Sequence, residues 1–331
     1  MRKVFIDGSA GTTGLRIRER LAARNDLEVV ILPDAARKDP AARRAALNAA
    51  DVAFLCLPDA AAVEAVQMVE NPQTVVIDTS TAHRTADGWE YGFPELAGRR
   101  ERIARAKRIA NPGCHASGFI ALVEPLVRAG ALPRDARLCA FSLTGYSGGG
   151  KKMIAVYEEV ERCGSWGESA AVPHLSPLTP HLFLGGRQYA LGQAHKHLPE
   201  MTKVCGLDHA PCFSPIVVPH YSGMEVTVQL AASQLVPQGC GSVLAHLREI
   251  YRAAYVQGLV RFAEDPSAAE GGFLSSAALS GRDTMEVSVC GNEERILLVA
   301  RFDNLGKGAS GAAIQNMNLV LGRAEDEGLN V

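Results

Sequence analysis

A two-domain α/β fold is predicted: a parallel-sheet domain followed by a mixed α+β domain. Three observations predict it. Early in the chain, short apolar runs alternate with amphipathic stretches, the pattern of βαβ units. Further on, runs that alternate apolar and polar residues take over, the mark of half-solvated strands in a largely antiparallel sheet. The length, 331 residues, suits about two domains at roughly 150 residues each and is ample to bury a core.

Taken in order, residues 3–7 predict the first strand, residues 8–14 a glycine-rich loop and residues 15–24 an amphipathic helix. Residues 27–32 and 52–57 predict the second and third strands. The run Val52-Ala53-Phe54-Leu55-Cys56-Leu57 is apolar at every position, as a parallel strand buried on both faces requires. A helix over 60–69 leads to a fourth strand at 74–78, and residues 108–110 suit a fifth. In the second half, residues 138–143, 216–218, 224–230, 285–290 and 296–302 are β-rich. Alternation in 224–230 and 285–289 implies one solvated face on each. Helices are predicted over 115–129, 151–162 and 242–254. The last apolar helix, 309–321, is expected to return to the first domain, whose sheet needs cover on both faces. The domains are thus 1–113 with 303–331, and 114–302. No repeat or low-complexity linker separates them, so they are expected to share a large interface, with a dimer contact on part of the second sheet.

Composition narrows the function. Apolar residues are 47% and charged residues 21%, which excludes a disordered, collagen-like or coiled-coil chain. Lys and Arg number 34 against 36 Asp and Glu, a net charge of −2, so nothing drives the chain toward nucleic acid or an anionic membrane. Asp7 ends the first apolar run too early for a signal peptide, and no stretch is long and apolar enough to span a bilayer. A cytoplasmic location is expected. The eight cysteines, Cys56, Cys114, Cys139, Cys163, Cys205, Cys212, Cys240 and Cys290, show no CxxC spacing. Most are expected to be reduced core residues rather than bridges or zinc ligands.

The loop Gly8-Ser9-Ala10-Gly11-Thr12-Thr13-Gly14 follows a strand and opens a helix. Glycines there permit a tight turn and let backbone N–H groups approach a pyrophosphate at the helix N-terminus. The spacing is GxxGxxG, and its context makes it a dinucleotide site of Rossmann type. Asp34 lies 20 residues beyond Gly14; an acid there suits a ribose 2′-hydroxyl and NAD. Arg37 and Lys38 suit a 2′-phosphate and NADP instead, and the residues alone leave both open.

Asn111-Pro112-Gly113-Cys114 follows the fifth strand. Pro112 stops the ladder, and Gly113 offers a backbone conformation closed to other residues. Cys114 then opens a helix, whose N–H groups and dipole are expected to lower its thiol pKa from about 8.5. A thiolate facing a dinucleotide site is placed for covalent catalysis.

With these segments the chain resembles the N-acetyl-gamma-glutamyl-phosphate reductases, in their shorter second type, within the semialdehyde-dehydrogenase superfamily. The resemblance rests on the glycine loop, residues 77–84 (Ile-Asp-Thr-Ser-Thr-Ala-His-Arg), Tyr91-Gly92-Phe93-Pro94-Glu95-Leu96, the cysteine elbow and Ser147-Gly148-Gly149-Gly150. It continues in His195-Lys196-His197-Leu198-Pro199-Glu200 and in residues 303–309 (Asp-Asn-Leu-Gly-Lys-Gly-Ala). One departure is His115-Ala116-Ser117, where longer relatives carry Tyr-Pro-Thr. The resemblance implies NADPH-dependent reduction of an acyl phosphate through a thioester on Cys114, in arginine biosynthesis, by a homo-oligomer, dimer or tetramer. It implies His197 as acid/base and His195 as a substrate or phosphate contact, and the residues alone leave open which of the two transfers the proton. An imidazole pKa near 6.5 would suit the proton transfer.

The resemblance further implies that Arg84 grips a substrate carboxylate, while Ser80 and Asn304 contact the cofactor beside Gly8, Gly11, Thr12, Thr13 and Gly14. Ser147 and Gly148, with Lys151 and Lys152, offer N–H groups and cations to the substrate phosphate. Rival readings are a paralogue acting on aspartyl phosphate or a carrier-bound aminoadipyl phosphate, and a regulator that binds NADP without turnover. Six of the nine histidines, His174, His181, His195, His197, His209 and His220, fall between positions 174 and 220. They lack acidic or cysteine partners at zinc spacing, so no metal is expected.

Overall fold

The computed structural model describes residues 1–162, 182–237 and 241–331. Cys163, Cys240, His174 and His181 lie outside the described residues. The first domain is a six-stranded parallel sheet in the order β2-β1-β3-β4-β6-β5. Its strands are β1 (Arg2–Asp7), β2 (Leu27–Val30), β3 (Val52–Leu55), β4 (Val75–Asp78), β5 (Glu90–Tyr91) and β6 (Arg108–Ala110). Its helices are α1 (Thr12–Leu21), α2 (Pro40–Ala49), α3 (Asp59–Gln67) and α4 (Arg99–Arg105). Alternate residues of each strand face opposite layers. Val4, Ile6, Val52, Phe54, Val75 and Ile77 pack on one side with Ile17 of α1 and Ile103 of α4. Phe5, Ala53, Leu55 and Val76 pack on the other with Leu47 of α2 and with Ala62 and Ala65 of α3.

The second sheet is mixed, in the order β11-β12-β13-β10-β7-β9-β8. Its strands are β7 (Cys139–Gly145), β8 (Arg187–Gln188), β9 (Cys212–Val218), β10 (Met224–Ala231), β11 (Val260–Phe262), β12 (Met285–Gly291) and β13 (Arg295–Phe302). The pairs β7–β9 and β11–β12 are parallel and the others antiparallel. Helices α5 (Cys114–Arg128), α6 (Gly150–Arg162), α7 (Leu198–Cys205) and α8 (Val243–Ala254) belong to this half. The inner face carries Val226, Val228, Val287, Leu298 and Phe302 against Phe119 and Leu122 of α5 and Tyr251 of α8. Helix α5 lies close on β10: a Cβ at Gly118 would sit 2.5 Å from Val226 Cγ2.

The chain then makes a π-helical turn, Gly306–Ser310, and enters α9 (Gly311–Val320). Ala313, Ile314 and Met317 of α9 pack into the first sheet's core beside Val4 and Ile17. The glycine at 306 permits the close return, since a Cβ there would meet the Arg282 carbonyl oxygen at 2.1 Å.

Several expectations need correction. Helix α2 has no counterpart in the sequence reading, although Asp39 caps it by accepting from Ala41 N at 3.0 Å and Pro40 opens it, a recognisable start signal. Helices α4 and α7 and strands β5, β8 and β11 are likewise additions. Strand β10 alternates strictly between buried positions and half-buried or exposed ones, but on β12 Ser288 is buried as well as Val287 and Val289. The segment between β11 and β12 folds over that end of the outer face, where Arg301 pairs with Glu270. The cysteine expectation fails in part. Among the described residues all six are free, yet only Cys205 is buried; Cys139 and Cys212 are exposed neighbours on β7 and β9. A cysteine's apolar character does not choose the sheet face; the strand register does. No described helix is long and apolar enough to cross a membrane.

Candidate active site

The cysteine elbow is built by three elements. Strand β6 ends at Ala110, and Asn111 ties the next residues down, donating from Nδ2 to the Ala309 carbonyl at 2.9 Å. Pro112 and Gly113 follow, and Cys114 opens α5 half-buried. Gly113 has φ −77° and ψ 147°, an ordinary extended conformation, so the expected special backbone is not its role. Close approach is. A Cβ at Gly113 would lie 2.4 Å from Arg84 Nη1, 2.5 Å from His197 Nε2 and 2.6 Å from Glu200 Oε1. These three side chains press against the bare glycine, and any larger residue would push them from the thiol.

Glu200, which the sequence reading passed over, organises this cluster from the first turn of α7. It is buried, accepts from Arg84 Nη1 at 2.7 Å, from Tyr91 Oη at 2.8 Å and from the Gly113 N–H at 3.1 Å. The only signal was its place in His-Leu-Pro-Glu, a carboxylate at a helix start, where the dipole favours it. Arg84 also donates to the carbonyls of Asn111 and Thr79. Three of its five N–H donors are thus spent on the protein, leaving two for the cavity that it lines. Its first service is a fixed positive charge beside Cys114.

The thiol pKa departs from expectation in sign. Burial pushes Cys114 up, and this outweighs the Arg84 charge, the His115 N–H and the Lys196 charge, all of which pull it down. His197 caps α7, and its backbone N–H bonds His195 Nδ1 at 3.2 Å. The two rings lie 4.7 Å apart between centroids, and His115 lies 5.4 Å from His195 and 5.6 Å from His197. Burial first, then Arg84 and the neighbouring imidazoles, drives His197 well below its ordinary pKa; burial and Lys196 bring His195 down to about 4. Both imidazoles are therefore neutral near pH 7, not half-titrated. His197 Nδ1 is buried with no hydrogen-bond partner among the described residues. Neither His209 nor His220 lines this cavity, and no group of three or more metal-ligating side chains converges among the described residues.

The glycine loop faces the same cavity of about 810 Å³, lined by Gly11, Thr12, Thr13 and Gly14 on one side and by Cys114, His195 and His197 on the other. Gly8 does not line it. It turns the chain at φ +88°, where a Cβ would meet the Cys56 carbonyl oxygen at 2.3 Å; a Cβ at Gly14 would meet the Gly8 carbonyl oxygen at 2.4 Å. No side chain caps α1, so the N–H groups of its first turn stay available to an anion. This bare, uncapped cradle fits a pyrophosphate. Ser80 lines the cavity and bonds Asp78 through both its N–H and its hydroxyl. Asn304 also lines it, with its amide spent on Ser147 Oγ at 2.9 Å and the Gly223 N–H at 2.9 Å.

Ser147 and Gly148 reach the cavity, whereas Lys151 and Lys152 do not and stand exposed. The cations that do line it are Arg84, Arg187 and Lys196. Asp34 and Arg37 pair with each other at 3.3 Å on the surface.

Comparison with known proteins agrees with this architecture. The family described as semialdehyde dehydrogenase, NAD binding domain, matches residues 3–106, and semialdehyde dehydrogenase, dimerisation domain, matches residues 114–304. A Burkholderia ambifaria protein named N-acetyl-gamma-glutamyl-phosphate reductase is 44% identical, covering 97% of this chain and 96% of its own. A Brucella ovis protein of the same name is 46% identical, covering 97% and 99%. Among solved structures, aspartate semialdehyde dehydrogenase II of Vibrio cholerae superposes with a TM-score of 0.71 at 16% identity, over 97% of this chain and 98% of that one. The enzyme of Francisella tularensis gives 0.70 at 13%, over 97% and 100%; at such identities the likeness speaks for the fold. By its domains and its near full-length relatives, the chain belongs to the semialdehyde dehydrogenase family, in its N-acetyl-gamma-glutamyl-phosphate reductase branch.

Proposed function

We propose that the protein reduces N-acetyl-L-glutamyl 5-phosphate to N-acetyl-L-glutamate 5-semialdehyde, with release of phosphate and consumption of NADPH. One observation carries the reading: the thiol of Cys114 and the uncapped N-terminus of α1 open on one cavity, so that a dinucleotide and an acyl group held there must meet.

Cys114 Sγ adds to the acyl carbon. Its proton passes to the neutral imidazole of His197, the S–C bond forms, and the C–O bond to phosphate breaks with its electron pair leaving on phosphate. The product on the enzyme is a thioester. When bound, the reduced nicotinamide supplies the hydride that the acyl carbon needs. His197, now protonated, returns its proton as the sulfur is released and the aldehyde departs. A raised thiol pKa and a lowered imidazole pKa make the resting pair neutral, so the proton moves as the bond forms. Arg84 stabilises the negative charge and offers its two remaining donors to the substrate. Ser147, Gly148 and His195 surround the leaving phosphate and the rest of the substrate. Gly11, Thr12, Thr13 and Gly14 would hold the pyrophosphate, with Gly8 shaping the loop and Ser80 and Asn304 bordering the nicotinamide end. The cofactor-binding unit is residues 1–113 with 303–331; α9 in the first core supports this division. Association through the outer face of the second sheet is supported by the exposed Phe141 and Leu297 there.

Each of these assignments has its own test. His197→Asn is expected to lower kcat by about 10²–10⁴-fold, the usual worth of a general acid/base, with KM little changed; a loss confined to KM would make it a binding residue. Arg37 and Lys38, exposed in the turn between β2 and α2, support NADPH over NADH, because a guanidinium and an ammonium can share the 2′-phosphate. Specificity constants for the two cofactors should therefore favour NADPH, and Arg37→Ala should shrink the ratio. Equal constants in the unaltered enzyme would refute the assignment. The substrate itself is tested by phosphate-dependent oxidation of N-acetylglutamate semialdehyde against aspartate semialdehyde.

A further inference from the structure

A chain of three side chains runs from the interior of the second domain into the cavity, and the chemistry proposed above gives no role to any of them. Ser142 on β7 is fully buried, and its Oγ lies 2.6 Å from His115 Nδ1. His115 Nε2 lies 2.6 Å from the hydroxyl of Tyr189, which lines the cavity together with Cys114. Among the described residues, neither hydroxyl makes a second side-chain hydrogen bond.

Proton counting selects one arrangement. Burial keeps His115 neutral, so its ring carries one proton. With that proton on Nδ1, the ring donates to Ser142, and the Ser142 proton is left without an acceptor in a fully buried place, a cost of about 1–3 kcal/mol. With it on Nε2, Ser142 donates to Nδ1, Nε2 donates to the Tyr189 oxygen, and no buried donor is orphaned. The Tyr189 proton is then the one left over, and it faces the cavity. Burial and the neighbouring Cys114 charge push the Tyr189 pKa up, so the phenol stays a donor.

We propose that Tyr189 donates a hydrogen bond to the acyl oxygen of the substrate as Cys114 adds to it, and that Ser142 and His115 are positioning residues that keep the Tyr189 proton free. This rests on Cys114 being the nucleophile. A donor aimed at an oxygen that gains charge only in the transition state raises kcat rather than ground-state binding.

The experiment compares Tyr189→Phe, Ser142→Ala, the double variant and Cys114→Ser in the phosphate-dependent oxidation of N-acetylglutamate semialdehyde. It adds ¹⁵N NMR of His115 at neutral pH and the pH profile of Cys114 alkylation by iodoacetamide. Tyr189→Phe should lower kcat by on the order of 10²-fold, with KM and the alkylation profile unchanged. Ser142→Ala should cost less and add nothing in the Tyr189→Phe background, since it acts through Tyr189. His115 should carry its proton on Nε2. A kcat within about threefold of the unaltered enzyme, a change in KM alone, a shifted alkylation profile (Tyr189 then serving the thiolate) or a proton on Nδ1 would overturn the proposal. If Cys114→Ser stays active, the covalent reading itself is wrong; if it is inactive while Tyr189→Phe is not, only the Tyr189 assignment fails.

Discussion

Cys114→Ser is expected to lower kcat by on the order of 10⁴-fold or more, the scale at which loss of a nucleophile is felt. The substitution keeps the shape of the half-buried side chain and the Glu200–Gly113 tie behind it, so cofactor binding and melting temperature should hold. Serine is a poor replacement for two reasons. Its hydroxyl is far less acidic than a thiol, although the neutral His197 can still accept a proton. An oxygen ester is also a weaker hydride acceptor than the thioester. The measurement is steady-state turnover beside cofactor titration on the same sample. Retention of more than about a tenth of the rate would exclude covalent catalysis at this residue.

Lys307→Met is expected to destabilise the fold by about 3–5 kcal/mol, the cost of leaving a buried charge without its partner. Lys307 and Glu95 are both fully buried, and Nζ donates to both carboxylate oxygens at 2.9 and 2.8 Å. Glu95 also accepts from Gln315 Nε2 at 2.9 Å and from the Leu259 N–H at 2.9 Å. Burial would raise the Glu95 pKa, but Lys307, Gln315 and the Leu259 N–H together hold it below the usual 4.5. A carboxyl depressed in the folded state contributes stability above its unfolded pKa and loses it as pH falls through the folded value. Without Lys307 the sign reverses: a buried carboxyl with a raised pKa costs stability as pH climbs through its unfolded value near 4.5. The gap between the two proteins should therefore be small near pH 4 and widen toward pH 7. Urea unfolding across that range measures it. A gap below about 1 kcal/mol, or one that does not widen, would show that the pair contributes little. Adding Glu95→Gln to the variant should recover part of the loss.

How much of this could be read beforehand depends on the range of the interactions. Strands β1, β3 and β4 were legible within a residue or two, because strands buried on both faces are continuous apolar runs. Helix α2 was missed although Asp39 and Pro40 mark its start: its apolar positions are mostly alanine, which leaves little amphipathic contrast. The elbow was legible as a motif, but the reason for its glycine was not. Gly113 needs no unusual backbone; it is bare because Arg84, His197 and Glu200 occupy the space a Cβ would take.

By itself the sequence determined the βαβ beginning, the glycine-rich loop, the cysteine at a helix start and the family, since each is written in neighbouring residues or in short segments. Only the tertiary structure decided which groups act on the thiol and in which direction. Glu200 reaches Arg84 across 116 positions and Tyr189 reaches His115 across 74. Cys114 is raised and His197 lowered by burial before any charge acts. Desolvation belongs to the whole surrounding packing, and no local pattern of residues encodes it.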